Sequence, residues 1–360
     1  MVPLVAAMEL DGVVDTDRLD RAWQELQRRH AFLRSRVGAE GPLLSDDVRP
    51  LLRANIPGSS PAFAKDVAQI LAAAARPRDL GMEAPAEAVL IRTGPEAYLL
   101  ICVIDHLVSD GWSFGIVARE WCALYTTPRS APVLDPSAIV ASYRDPHRIC
   151  THRDLIADLV SEFQDARGVE LQESFGGWAI QGIDLPLSIA RDLRARAARE
   201  RTTQFALGLA ALGRALSIEH DAKDLIVSTH VANRSVPRSE QIVCATYNTV
   251  PIHIAPRGDD LDAWVAASKS AAVRALRRQS LPFSMARQAL AEILPPGMLL
   301  RVMIDFDAHP FLAFVIPGIE IHEAFTWSRK RIAESVYAPT YATSSVPWPA
   351  AITLSFRETW

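Results

Sequence analysis

The densest cluster of chemistry-bearing residues in this 360-residue chain is the string IDHLVSDGWS, Ile104 to Ser113. Histidine is near-neutral at ordinary pH, so His106 could take a proton from an attacking amine or hydroxyl. Asp110 follows four residues later, then Gly111. The apolar run AYLLICVID precedes the string, and the apolar-periodic segment WSFGIVAREWCALY follows it. The cluster therefore falls at a strand-to-helix junction, where the strand fixes a side chain and the helix start offers free amide donors. A lone histidine in such a place can equally do no more than cap a strand, so the string alone leaves both readings open.

The elements that must hold this string are legible from periodicity. VVDTDRLDRAWQELQRRHAFLRSRV reads as a helix that starts at the cap Asp15 and places Leu19, Trp23, Leu26 and Leu33 on one stripe. A proline-rich stretch around Pro57 and Pro61 leads to a helix near 63 to 75. EAVLIRT and AYLLICVID, separated by Gly94-Pro95, read as a strand hairpin. Residues 126 to 150, rich in proline and turn formers, read as a connection. Beyond it come a mixed helical stretch over 151 to 167, a capped helix in TTQFALGLAALGRAL, strands in DLIVSTHVA and ATYNTVPIHI, a helix over 261 to 278, and a strand in RVMIDFDA. Alternating strands and helices imply an α/β class. Two domains are expected, 1–150 and 151–360.

Composition narrows the functions. The hydrophobic fraction of 49% supports folded cores, and 22% charged residues is ordinary for a globular chain. A net charge of −4 gives no pull toward nucleic acid or anionic lipid. Cys102, Cys122, Cys150 and Cys244 lie far apart without a CxxC pair, so neither a metal site nor a disulfide framework is expected. No apolar segment reaches the length of a membrane span and the N-terminus lacks a basic region, so the expectation is a cytoplasmic protein.

IDHLVSDGWS resembles the HHxxxDG signature of nonribosomal peptide synthetase condensation domains, within the chloramphenicol-acetyltransferase-like superfamily. Asp105 replaces the first histidine, His106 keeps the second, and Asp110 and Gly111 match the last two positions. Five more segments resemble that family in order. RRHAFLRSRV (28–37) is similar to RHxxLRTxF, STHVANR (228–234) to GTPVANR, and CATYNTVPIHI (244–254) to GxFVNTLPLR. QSLPFSMARQAL (279–290) is similar to HQDLPFEKLVEAL, and LRVMIDFDA (300–308) to FQVMFNFQN.

The resemblance implies two acetyltransferase-like lobes forming a V-shaped pseudo-dimer with a central tunnel, His106 at the cleft floor. It implies a stand-alone condensation enzyme, shortened at both ends, that transfers an acyl group from a carrier-protein thioester to a small-molecule amine or alcohol. No cofactor is bound by the chain itself; the phosphopantetheine is carried by an acyl or peptidyl carrier protein. His106 would be the catalytic base, with backbone amides near Gly111 stabilising the oxyanion. Asp110 would form a structural ion pair with Arg34. Asp105, Trp112, Ser113, Tyr247 and Asn248 are candidate substrate or motif contacts. Leu281-Pro282-Phe283 and Asn248-Thr249 also read simply as loop-to-helix packing. Three alternatives stay open. Asp105, Asp110 and Ser113 fit the DxxxxDxxS pattern of heterocyclisation domains, soluble acyl-coenzyme A could replace the carrier protein, and a degenerate scaffold could recruit another enzyme without chemistry.

Overall fold

The computed structural model describes residues 3–39, 41–128, 134, 136–143, 146–169, 186–307, 314–323 and 352–357. In chain order the elements begin β1 (Leu4–Asp11), α1 (Thr16–Arg29), a 3-10 turn (Ala31–Arg34), β2 (Arg36–Gly38), β3 (Gly41–Leu43), β4 (Leu52–Asn55) and α2 (Phe63–Ala74). They continue with β5 (Ala86–Arg92), β6 (Ala97–Ile104), α3 (Gly111–Thr126), α4 (Ser137–Tyr143), α5 (Pro146–Phe163), α6 (Leu187–Arg199) and α7 (Gln204–His220). Last come β7 (Leu225–Val231), β8 (Asn248–Ile254), α8 (Leu261–Arg277), α9 (Phe283–Leu290), α10 (Met298–Arg301), β9 (Val302–Asp307), β10 (Glu320–Glu323) and β11 (Ile352–Arg357).

The chain divides into two compact units, but not at a single point. The first comprises Met1–Tyr143, Val236–Thr246 and His309–Pro347, and the second comprises the intervening segments and Trp348–Trp360. A single cut at 150 therefore does not describe the chain. Pairing explains why: β10 lies antiparallel to β1, with Met8 opposite Glu323, so a late segment completes the first unit's sheet. The connection expected over 126 to 150 also holds two helices, with Pro146 opening α5. Proline suits a first helical position because the missing N–H would have had no intrahelical acceptor. Residues 129–133, 135, 144 and 145 of that stretch lie outside the described residues.

The first unit is built on a five-stranded sheet of order β10-β1-β6-β5-β4. β6 is central and apolar throughout because both of its faces are covered. Leu100, Cys102 and Ile104 join one core with Trp23, Trp121 and Phe314, while Leu99, Ile101 and Val103 join another with Val67 and Leu71 of α2. Trp23 of α1 and Trp121 of α3 stack at 4.8 Å, and Phe314 meets Trp121 edge-on at 5.8 Å. The indole of Trp121 donates to the carbonyl of Leu19. This packing fixes α3 on the sheet and with it the start of the helix. The expected cap holds: Asp15 accepts the amide of Arg18 at 2.9 Å.

The second unit carries the sheet β11-β9-β7-β8, in which β7 pairs antiparallel with β8 and parallel with β9. Leu225 and Val227 of β7 pack with α7 and α8, and Ile226 packs on the other side with Phe163 and Leu290. His253 bridges the Asp224 carboxylate at 2.8 Å and the Glu162 carbonyl at 3.1 Å, tying β8 to α5.

Gly213 sits in α7 against the buried ring of Trp264, and a Cβ there would overlap that ring. Alanine gains about 1 kcal/mol of helix propensity over glycine, but overpacking a rigid buried ring costs about 1–3 kcal/mol. Gly213→Ala is therefore expected to lower the denaturation midpoint. An unchanged or raised midpoint in urea unfolding would contradict this packing.

Candidate functional site

β6 ends at Ile104, one residue earlier than the sequence suggests, and the chain turns at once. Asp105 still donates its amide to the Pro85 carbonyl at 2.8 Å, but its carboxylate folds back to accept the amide of Leu107 at 2.8 Å. Its carbonyl accepts Val108 N–H and the Ser109 hydroxyl at 3.2 and 3.0 Å. Asp105 is thus a buried turn former, and strand alternation does not govern where its side chain points.

The same turn orients His106. Its Nδ1 lies 2.9 Å from the carbonyl oxygen of Ser109. A carbonyl can only accept, so in the neutral ring Nδ1 carries the proton and the lone pair is on Nε2. The ring's tautomer is set by a contact between residues three apart, inside one turn.

Asp110 closes the turn as the N-cap of α3. Oδ1 accepts the amide of Ser113 at 2.9 Å and its hydroxyl at 2.8 Å; Oδ2 accepts the amide of Thr246 at 3.1 Å and its hydroxyl at 3.4 Å. The Ser113 hydroxyl also lies 2.9 Å from the Cys244 carbonyl and accepts the Cys244 amide at 3.2 Å. Trp112, half exposed, donates its indole N–H to the Glu240 carbonyl at 3.1 Å. The segment 240–246 is in this way laced to the start of α3. Gly111 occupies the first helical position, and a Cβ there would meet nothing within 4 Å. The amides of Gly111 and Trp112, in the first turn, have no intrahelical acceptor.

Two of the expected site residues are engaged elsewhere. Arg34 does not pair with Asp110. Its Nε donates to the Gln27 carbonyl at 3.1 Å, and its guanidinium reaches the Arg28 carbonyl and, at 3.0 Å, Asp46. The 3-10 turn folds Arg34 back onto the C-terminal end of α1, whose carbonyls lack intrahelical donors. Asn248 is likewise occupied. Its amide donates to the carbonyls of Gln279 and Leu281 at 2.9 and 2.6 Å, and its Oδ1 accepts the amide of Phe283 at 3.1 Å, so it clamps the loop before α9. Tyr247 is in the second unit, partly exposed, with its ring 5.9 Å from that of His230. Thr246 and the backbone of Cys244 escaped the sequence reading, because no spacing rule links them to a motif more than 130 residues earlier.

Cys102, Cys122 and Cys244 are buried and form no disulfide; burial pushes the Cys102 thiol well up and that of Cys122 to about 12. Among the described residues no group of three or more His, Cys, Asp or Glu is placed to hold a metal ion, and no helix is long and apolar enough to cross a membrane.

With this geometry in view, residues 4–145 match the family model described as condensation domain. Over those residues the chain is similar to the condensation-domain family. It is 29% identical over 349 residues to chondramide synthase cmdD of Chondromyces crocatus, covering 88% of this chain and 9% of that protein. It is 29% identical over 340 residues to phosphinothricin tripeptide synthetase PhsB of Streptomyces viridochromogenes, covering 84% of this chain and 28% of that one. The chain thus spans a small share of the curated relatives it matches. Among solved structures, the first condensation domain of the calcium-dependent antibiotic synthetase, in complex with a substrate analogue, superposes with a TM-score of 0.73 at 18% identity, covering 89% of this chain and 79% of that one. The X-domain from teicoplanin biosynthesis, in complex with OxyB, gives 0.66 at 19%, covering 89% and 75%. These likenesses establish the fold.

The assignment of Asp110 leads to a double-mutant cycle. Asp110→Ala removes a cap worth about 1 kcal/mol and strands further buried donors, so it is expected to cost about 3 kcal/mol or more in total. Its coupling to Arg34→Ala is expected to be below about 0.5 kcal/mol, as for residues without a shared bond. A coupling energy of several kcal/mol in denaturant unfolding would restore the ion pair.

Proposed function

We propose that this chain transfers an acyl group from the phosphopantetheinyl thioester of a carrier protein to an amine or hydroxyl acceptor. The observation that carries this reading is the bond from His106 Nδ1–H to the Ser109 carbonyl, which leaves the basic lone pair on Nε2. As the acceptor attacks the thioester carbon, Nε2 takes the proton of the attacking N–H or O–H. The oxyanion that forms has the unpaired amides of Gly111 and Trp112 as natural donors. Collapse breaks the carbon–sulfur bond, and the thiolate receives the proton back from the imidazolium. The products are the amide or ester and the free thiol.

The site supports His106 over the heterocyclisation alternative. That alternative gives chemistry to Asp105, Asp110 and Ser113, yet all three are buried and bonded within the turn and the helix cap. Recruitment of another protein without catalysis is a second reading, favoured by the likeness to the X-domain in complex with OxyB.

Intact-mass analysis of an acyl-loaded carrier protein, mixed with this protein and candidate acceptors, separates these readings. Acyl transfer is expected, and His106→Ala should reduce it by about 10²–10⁴-fold while the melting curve stays unchanged. Asp105→Asn, which keeps an acceptor for the Leu107 amide, should cost far less. Gly111→Ala should leave stability equal or slightly higher and slow turnover, because its side chain would enter the open space beside the amides. Full activity in His106→Ala would overturn the assignment, and a dehydrated ring product lost in Asp105→Asn would move the protein to the heterocyclisation branch.

A further inference from the structure

β8 departs from the string it resembles at one buried residue: His253 stands where GxFVNTLPLR has its arginine. The ring lies between two oxygens of acceptor groups. Nε2 is 2.8 Å from an oxygen of the Asp224 carboxylate, and Nδ1 is 3.1 Å from the backbone carbonyl of Glu162, in the last turn of α5. A neutral imidazole has a single N–H, so in that state one nitrogen would set its lone pair against an oxygen. The doubly protonated ring satisfies both contacts, as an arginine with its several donors would.

Asp224 does not supply the second proton. Its two oxygens accept the amides of Arg167 and Gly168 at 2.8 and 3.0 Å. Burial works against its ionisation, but the His253 ring and those amides hold the carboxyl below its usual range. The charges of the neighbouring elements agree. From α5, Glu162 reaches Arg278 at 2.6 Å and Arg274 at 3.0 Å, and Asp158 reaches Arg278 at 2.7 Å. The carboxylates of Asp158, Glu162 and Asp224 thus meet two guanidiniums of α8, and a positive His253 balances them. A buried charge is tolerated when paired and costly when not. The Phe163 ring, 5.5 Å away, is within the range over which an aromatic ring attracts a cation.

We infer that His253 is held as an imidazolium whose second proton fastens the end of α5 to β8, so that a rise in pH loosens this fastening. On deprotonation an N–H bond breaks, its electron pair stays on the ring nitrogen, and the proton passes to water. The lone pair left behind faces either the Glu162 carbonyl or the Asp224 carboxylate, and the carboxylate that holds the turn at Arg167 and Gly168 loses its counter-charge. That turn has little room to adjust, because Gly168 is left-handed at φ +66° and a Cβ there would lie 3.2 Å from Ile226. The direction follows from the sign of each charge. Protonation of Asp224 weakens the clasp as the pH falls, whereas loss of the His253 proton weakens it as the pH rises. Arginine at 253 would abolish the alkaline arm, since a guanidinium keeps its proton.

Ring 15N NMR of the folded protein at about pH 7, with His253 assigned by the loss of its signals in His253→Arg, should show both nitrogens protonated. Protection factors of the Arg167 and Gly168 amides, which divide out the intrinsic pH dependence of exchange, give the second readout. From about pH 7 to about pH 10 they should fall about tenfold or more in the wild-type protein and stay level in His253→Arg. A ring with one protonated nitrogen at about pH 7 would overturn the inference. So would protection that falls as far in His253→Arg as in the wild-type protein.

Discussion

The Asp110 carboxylate is the interaction on which the rest of the site depends. Four donors converge on its two oxygens, from Ser113 at the start of α3 and from Thr246 more than 130 residues later. Buried backbone amides must find acceptors, and a single carboxylate satisfies two of them at once. By doing so it terminates the turn that began at Asp105, starts the helix, and holds the returning segment against both. The Ser109 carbonyl orients His106, and the turn that presents that carbonyl is fixed at its two ends by Asp105 and Asp110.

Two histidines illustrate how surroundings decide a role. His253 is buried between the Asp224 carboxylate and the Glu162 carbonyl, with both ring nitrogens committed to packing elements together. Burial works against ionisation of Asp224, but His253 and the amides of Arg167 and Gly168 hold its carboxyl below the usual range. His106 follows a different pattern, in which an acceptor engages Nδ1 and Nε2 becomes the basic atom. Residue type alone does not distinguish these cases; the acceptor at Nδ1 and the degree of burial do.

Much of this was legible in the residues. The cap at Asp15, the apolar strand in AYLLICVI and the position of IDHLVSDGWS between strand and helix follow from local chemistry, and the structure bears them out. What escaped was non-local. The family resemblance implied an Arg34–Asp110 pair, yet the 3-10 turn after α1 spends the guanidinium on nearby carbonyls. The return of 236–246 and 309–347 to the first unit could not be read from periodicity, since nothing in a strand's alternation says which strand it will pair with. Asn248 reads as a polar residue available to a ligand until the loop before α9 is in place to consume its amide.

The central claim, that a turn closed by Asp105 and Asp110 makes Nε2 of His106 the base, is tested most directly by the tautomer of that ring. Long-range 1H–15N correlation of the neutral His106 imidazole should show a protonated Nδ1 and a bare Nε2, and the same tautomer should survive in Asp105→Asn. A neutral ring protonated on Nε2 would contradict the account, because the atom assigned as base would then hold a proton and have no lone pair to offer.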